Sequence, residues 1–113
     1  MERLLYNPNN IFEELKSNEK LSKLSTHGYC RSWAQEALIL IRDKFPKLKA
    51  EAREIEVEEE FCHTFLKVIV DERTSLILDG VGFGNKSPFF GYEDEAPVHL
   101  RNSRLDMINQ LKI

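Results

Sequence analysis

His27-Gly28-Tyr29-Cys30-Arg31-Ser32-Trp33-Ala34 sets a cysteine where a glycine-containing loop gives way to an amphipathic helix. From Cys30 the apolar side chains recur at Trp33, Ala34, Ala37, Leu38, Ile41 and Phe45, the spacing of a helix pressed on a core, and Pro46 ends it. A cysteine in the first turn of such a helix faces unpaired backbone N–H groups and the positive end of the helix dipole, both of which favour thiolate over thiol. Cys30 is therefore a candidate nucleophile.

On the N-terminal side, Asn10 followed by Glu13 gives a capping-box-like start, and Ile11, Phe12 and Leu15 form an apolar face, so a short helix is expected over about residues 10–16. Leu21 and Leu24 suit a second helical turn before Ser25-Thr26-His27-Gly28 loosens the chain. On the C-terminal side, residues 47–53 read as charged and irregular. Glu54-Ile55-Glu56-Val57-Glu58 alternates with period two, the pattern of a strand with one wet face, read here as an edge strand whose charges discourage aggregation.

Two β-branched and aromatic runs follow, Phe61 to Val70 and Thr74 to Asp79, joined by Asp71-Glu72-Arg73, and predict an antiparallel hairpin with apolar side chains on both faces. Residues 80–92 read as a loop rich in aromatics, in which Phe83, Phe89, Phe90 and Tyr92 wall a substrate cleft or close the core. A short extended piece is expected from Pro97 to Leu100. Ser103 then caps a final helix carrying Leu105, Ile108 and Leu111. The sequence thus predicts a single α+β domain over residues 1–113: a helical flank over 1–25, a cysteine helix and hairpin core over 26–80, and a loop with a C-terminal helix over 81–113.

A chain of 113 residues is long enough for one core and too short for two. It is 42% hydrophobic and 31% charged, an ordinary globular composition. The net charge of −3 argues against broad nucleic-acid binding, which needs a basic face. No apolar run approaches the roughly 20 residues that span a bilayer, and Met1 to Pro8 lacks the apolar centre of a signal peptide. A cytoplasmic protein without a membrane partner is expected, and two cysteines do not make a disulfide scaffold. The sequence fixes no oligomeric state.

A cysteine nucleophile needs a base to take its proton and a third group to orient that base. His63 and Asp79 are the candidates. If Val70 pairs with Thr74 across the hairpin, Phe65 sits opposite Asp79, and His63 and Asp79 become diagonal neighbours on one face, roughly 7 Å apart at Cβ. A two-residue loop without a bulge pairs Leu66 with Asp79 and sends the two groups to opposite faces. The register therefore decides whether a triad exists.

Taken together, Cys30, His63 and Asp79, with Gly28-Tyr29-Cys30-Arg31-Ser32-Trp33-Ala34 around the first, resemble the papain-like and transglutaminase-like cysteine enzymes. There a helix-start cysteine is followed by a strand histidine and by an Asn or Asp on the neighbouring strand. The run resembles the papain signature, with one residue fewer between Ser32 and Trp33. The size is similar to that of small papain-fold toxin or deamidase domains. The resemblance implies a papain-like fold and a thiol-dependent hydrolase or acyl transferase acting on an amide or ester of a protein or peptide substrate, with no cofactor. It also implies that Tyr29, His27, Trp33 and Phe83 lie around the substrate or the oxyanion. Leu24 stands where the papain pattern has its oxyanion-binding glutamine, which leaves the Cys30 N–H and a donor from Ser25, Thr26 or His27.

The same residues allow other readings. Cys30 can be a small core side chain, His63 a hydrogen-bonded core histidine, and Asp79 the opening of a turn at Gly80. His27, Cys30, Cys62 and His63 offer four zinc ligands, but adjacent strand residues face opposite ways, which keeps Cys62 and His63 off one ion and makes Cys62 structural. Gly80 to Ser87 nearly matches a phosphate loop, with Asn85 in place of its last glycine. The alternative function is a non-catalytic module of the same fold that binds a protein through residues 83–92 or the acidic strand.

Overall fold

The computed structural model describes residues 8–26, 28–58, 61–82 and 86–110. Three helices, α1 (Pro8–Lys16), α2 (Glu19–Leu24) and α3 (Cys30–Lys44), precede the strands β1 (Lys49–Glu58), β2 (Phe61–Asp71), β3 (Thr74–Asp79), β4 (Phe89–Tyr92) and β5 (Arg104–Leu105). The strands form one antiparallel sheet in the order β4-β3-β2-β1-β5. This is an α+β domain with a helical layer on one side of the sheet. Among the described residues no helix is long and apolar enough to cross a membrane.

The cysteine helix forms as its stripe requires, with Trp33, Ala34, Ala37, Leu38 and Ile41 buried. Ala34 and Ala37 share a core cluster with Ala50 and Ala52 of β1, and these small side chains let helix and strand approach closely. Leu66 and Val68 of β2 and Leu76 and Leu78 of β3 complete the same cluster. Burying each is worth about 1.5–3 kcal/mol. The other face of the sheet presents Ile55, Phe65 and Ile77, which pack under Ala96 and Leu100. The sheet is covered on both sides.

Several segments differ from the sequence expectation. The charged stretch after Pro46 is already strand from Lys49, because Ala50 and Ala52 supply the buried alternation that lysine and glutamate obscure. β1 is an inner strand: β5 pairs with Arg53 and Glu54, and the Asn109 side chain continues that pairing by accepting from the Ala52 N–H and donating to the Ala52 carbonyl. The expected helix from Ser103 is instead β5 followed by a 3₁₀ turn, Met107–Gln110. Residues 89–92, expected as loop, form β4 against β3, so Phe90 pairs with Leu78. The piece expected to be extended before Leu100 is a 3₁₀ turn, Val98–Leu100. In each case a tertiary partner decided a short segment whose own pattern was weak.

Gly80, just after β3, lies directly beneath the Trp33 indole, and a methyl group on it would stand 2.1 Å from the ring. Trp33 in turn meets Phe90 edge-on, with ring centroids 6.0 Å apart. The helix is thereby seated on the end of the hairpin through a contact that only glycine permits. Gly80→Ala is expected to lower the stability in a urea titration by about 1–3 kcal/mol and to shift the Trp33 fluorescence, as overpacking does; an unchanged midpoint would remove this contact from the account.

Candidate active site

The hairpin register places His63 against Asp79. Glu72 and Arg73 make a two-residue turn, with Asp71 opposite Thr74, but a bulge between Ile69 and Asp71 absorbs Val70, so that Ile69 faces Ser75 and Leu66 faces Leu78. Continued by one residue, that register sets Phe65 opposite Asp79, the pairing that puts His63 and Asp79 on one face. His63 Nε2 lies 2.8 Å from Asp79 Oδ2, and each side chain is only 1% exposed. The other oxygen, Asp79 Oδ1, accepts from the backbone N–H groups of Val81 at 3.1 Å and Gly82 at 3.0 Å. Gly82, with φ of 72°, makes that turn possible. The imidazole also stacks on Phe65, with centroids 6.3 Å apart. The ring is therefore fixed from two sides, with Nε2 committed to the carboxylate and Nδ1 left for another partner.

That partner is Cys30. The paired stretch of β2 and β3 ends at Leu66 and Leu78, while β1 and β2 remain paired to Glu58 and Phe61. The start of α3 comes up to β2 in this region and brings the half-buried Cys30 thiol close enough to the His63 ring and the Thr64 backbone for both to favour its thiolate. Tyr29, the residue before α3, provides no side-chain cap, and the Arg31 backbone adds a smaller pull on the thiol in the same direction. Arg31 points its guanidinium away to the buried Asp106, at 3.1 Å, which ties the first helical turn to the segment after β5.

Charge is distributed accordingly. Burial pushes the Cys30 thiol up, but the hydrogen bond with His63, the Thr64 N–H, the His63 charge and the Arg31 N–H outweigh it and hold the pKa below the ordinary value. Burial pulls His63 down, but the hydrogen bonds to Asp79 and Cys30 and the charges of both raise it to about 9. Between the depressed thiol value and about pH 9 the pair is thiolate and imidazolium, the state in which sulfur is a nucleophile and the ring a proton donor.

The remaining sequence candidates fall in different places. Tyr29 is exposed beside Cys30, while Trp33 is 2% exposed and has a packing task on Gly80. His27 and Phe83 lie outside the described residues. The Ser25 hydroxyl donates to the Leu21 carbonyl at 3.1 Å, and the Thr26 carbonyl accepts from Tyr29 N–H, so both shape the turn before the helix. Cys62 lies on the opposite side of β2 from His63, with Arg104 Nη2 4.0 Å from its sulfur. Three contributors escaped the sequence. The Thr64 N–H leaves no signature because any residue supplies one. Asp106 and His99 reach the site only through the return of the C-terminal segment, and His99, held below its ordinary pKa by burial and the Lys86 charge, lies near enough to feel Asp79 and His63.

No protein-family model, curated protein or solved structure matches this chain. The functional reading therefore rests on the residues themselves.

Two measurements check the electrostatics. Iodoacetamide at pH 6.5 is expected to label Cys30 well ahead of Cys62, and His63→Ala, which removes a donor and a positive charge while burial still opposes ionisation, should slow Cys30 labelling at least about tenfold, the effect of one pKa unit. Equal, slow labelling of both thiols would contradict the arrangement. In an NMR titration the His63 ring should lose its proton near pH 9. In Asp79→Asn the loss of the carboxylate charge should move that step downward; no movement would show that Asp79 does not set the ring's charge.

Proposed function

We propose that the protein is a thiol-dependent hydrolase or acyl transferase of papain-like fold, acting on an amide or ester through Cys30, His63 and Asp79. The observation that carries this reading is the constellation of the buried His63–Asp79 pair, 2.8 Å apart, with Cys30 close enough to His63 for each to shift the other's charge. Its members occur on a helix start and two neighbouring strands, in the order helix cysteine, strand histidine, strand aspartate.

The chemistry follows from these positions. The Cys30 thiolate attacks the substrate carbonyl carbon, and the carbonyl electrons move onto oxygen, where the Cys30 N–H at the positive end of α3 stabilises them. The His63 imidazolium gives its proton to the leaving nitrogen or oxygen as that bond breaks, leaving an acyl group on sulfur. Neutral His63 then takes a proton from water or an acceptor amine, which attacks the thioester and releases the thiolate. Asp79 keeps Nε2–H pointed at itself throughout, so that Nδ1 always faces the reacting atoms.

An activated ester tests this without knowledge of the natural substrate. p-Nitrophenyl acetate is expected to release one p-nitrophenolate per chain in a burst and to leave one acetyl group on Cys30, located by peptide mass spectrometry. Cys30→Ala should abolish the burst, and His63→Ala should slow it by roughly 10²–10⁴-fold. Acetylation spread over Cys62 and lysines with no burst would favour a protein-binding module of the same fold.

A further inference from the structure

A cavity of about 440 Å³ lies on the helical side of the sheet, walled by residues of α1, α2 and α3 and by Gly80, Pro88 and Phe90. None of Cys30, His63 and Asp79 lines it, so what it holds is a separate matter from the thiol chemistry. Its volume falls within the roughly 300–1,000 Å³ of small-molecule sites.

The cavity is built around two aromatic rings. Trp33 is seated on Gly80, and Phe90 meets it edge-on with ring centroids 6.0 Å apart. Phe12 of α1 meets Phe90 in the same manner at 6.1 Å, which holds the Phe90 ring between two neighbours. Leu15 and Pro88 add aliphatic surface. A flat ring entering beside Trp33 and Phe90 would extend this packing in the edge-to-face or offset geometry that aromatic pairs favour.

Charge selects the other end of the ligand. Among the described residues lining the cavity Lys16 carries the only charge, and its Nζ stands 5.6 Å from the centroid of the Phe90 ring. Among the described residues no carboxylate pairs with this ammonium. The Ser25 hydroxyl already donates to the Leu21 carbonyl at 3.1 Å, so Lys16 is the main donor left to a ligand, with the Ser22 hydroxyl beside it. A cationic ligand would meet Lys16 as a like charge. A phosphate dianion draws on several cationic or backbone donors, whereas one ammonium balances a single carboxylate.

We propose that this cavity is a binding site for a small aromatic monocarboxylate, its ring set against Trp33 and Phe90 and its carboxylate paired with Lys16.

4-Phenylbutyrate is the probe, and Trp33, the one tryptophan of the chain, is the reporter. At pH 7 and low salt the probe should change the Trp33 fluorescence saturably, with one molecule bound per chain by calorimetry. 4-Phenylbutanamide has nearly the same shape without the charge and should bind about fivefold more weakly, the upper range for a solvent-exposed ion pair. Acetate, which lacks the ring, should not compete. Lys16→Met keeps the aliphatic stem at an exposed position; it should weaken 4-phenylbutyrate by about the same factor and leave the amide unchanged. Ser22→Phe, at another exposed position of the wall, should fill the cavity and weaken both probes. A fluorescence change that does not saturate, equal affinity for acid and amide, or binding that survives Ser22→Phe would each overturn the site, and none of these outcomes bears on the activity proposed for Cys30.

Discussion

The hydrogen bond between His63 and Asp79 is the constraint on which the rest of this structure depends. Two polar side chains buried from water cost several kcal/mol unless each finds a partner, and here each is the other's. The cost is offset further because Asp79 Oδ1 accepts two backbone N–H groups from the turn it begins. That turn needs Gly82 at positive φ, and the neighbouring Gly80 gives Trp33 its seat. A single buried pair thus fixes the end of β3, the turn beyond it and the height of α3 above the sheet. The nucleophile's position follows, since Cys30 is one helical turn from Trp33.

Much of this was readable from the chain because the determining features are local or periodic. The stripe from Cys30 to Phe45 announces α3, and the β-branched runs around Asp71-Glu72-Arg73 announce the hairpin. The pairing of His63 with Asp79 was readable only conditionally. A two-residue turn, which the structure has, separates them, and Val70 restores the register by bulging. Nothing in the residues from Ile69 to Thr74 distinguishes a bulged two-residue turn from a regular three-residue loop, since both serve the same core pattern. The C-terminal segment was least legible. Leu105, Ile108 and Leu111 carry helical spacing, yet Asn109 and Asp106 are used up in bonds to Ala52, Arg31 and the local backbone, partners more than 50 residues away in part. Long-range hydrogen bonds of this kind override a weak local preference and leave no periodic trace.

The helix start shows where stability was given up. A Ser, Thr, Asp or Asn before Cys30 would cap α3 and contribute about 1 kcal/mol. Tyr29 occupies the position without capping, and its φ of −114° with ψ of 19° is not the extended geometry of a good cap. The first turn is secured from outside, by the ion pair of Arg31 with the buried Asp106. Pulling the guanidinium to Asp106 also keeps a positive charge from closing directly over the thiolate. Among the described residues, His63 is the cation that bears on the sulfur.

That balance bears on how a thiolate so well solvated can still react. Lowering a thiol's pKa raises the fraction ionised but reduces the nucleophilicity of each thiolate, with a Brønsted coefficient of about 0.4–0.5. Near neutral pH the gain in fraction exceeds the loss while the pKa falls toward the ambient pH, and further lowering brings no benefit. Burial of Cys30 works against its donors and limits the descent. His63 is under the opposite pull, and Asp79 is what keeps its proton in place at neutral pH. The low-dielectric surroundings that make the His63 to Asp79 bond obligatory therefore also restrain the fall of the thiol's pKa. Stability and reactivity are set by the same burial, which is why the pair cannot be moved toward the surface to relieve the one without losing the other.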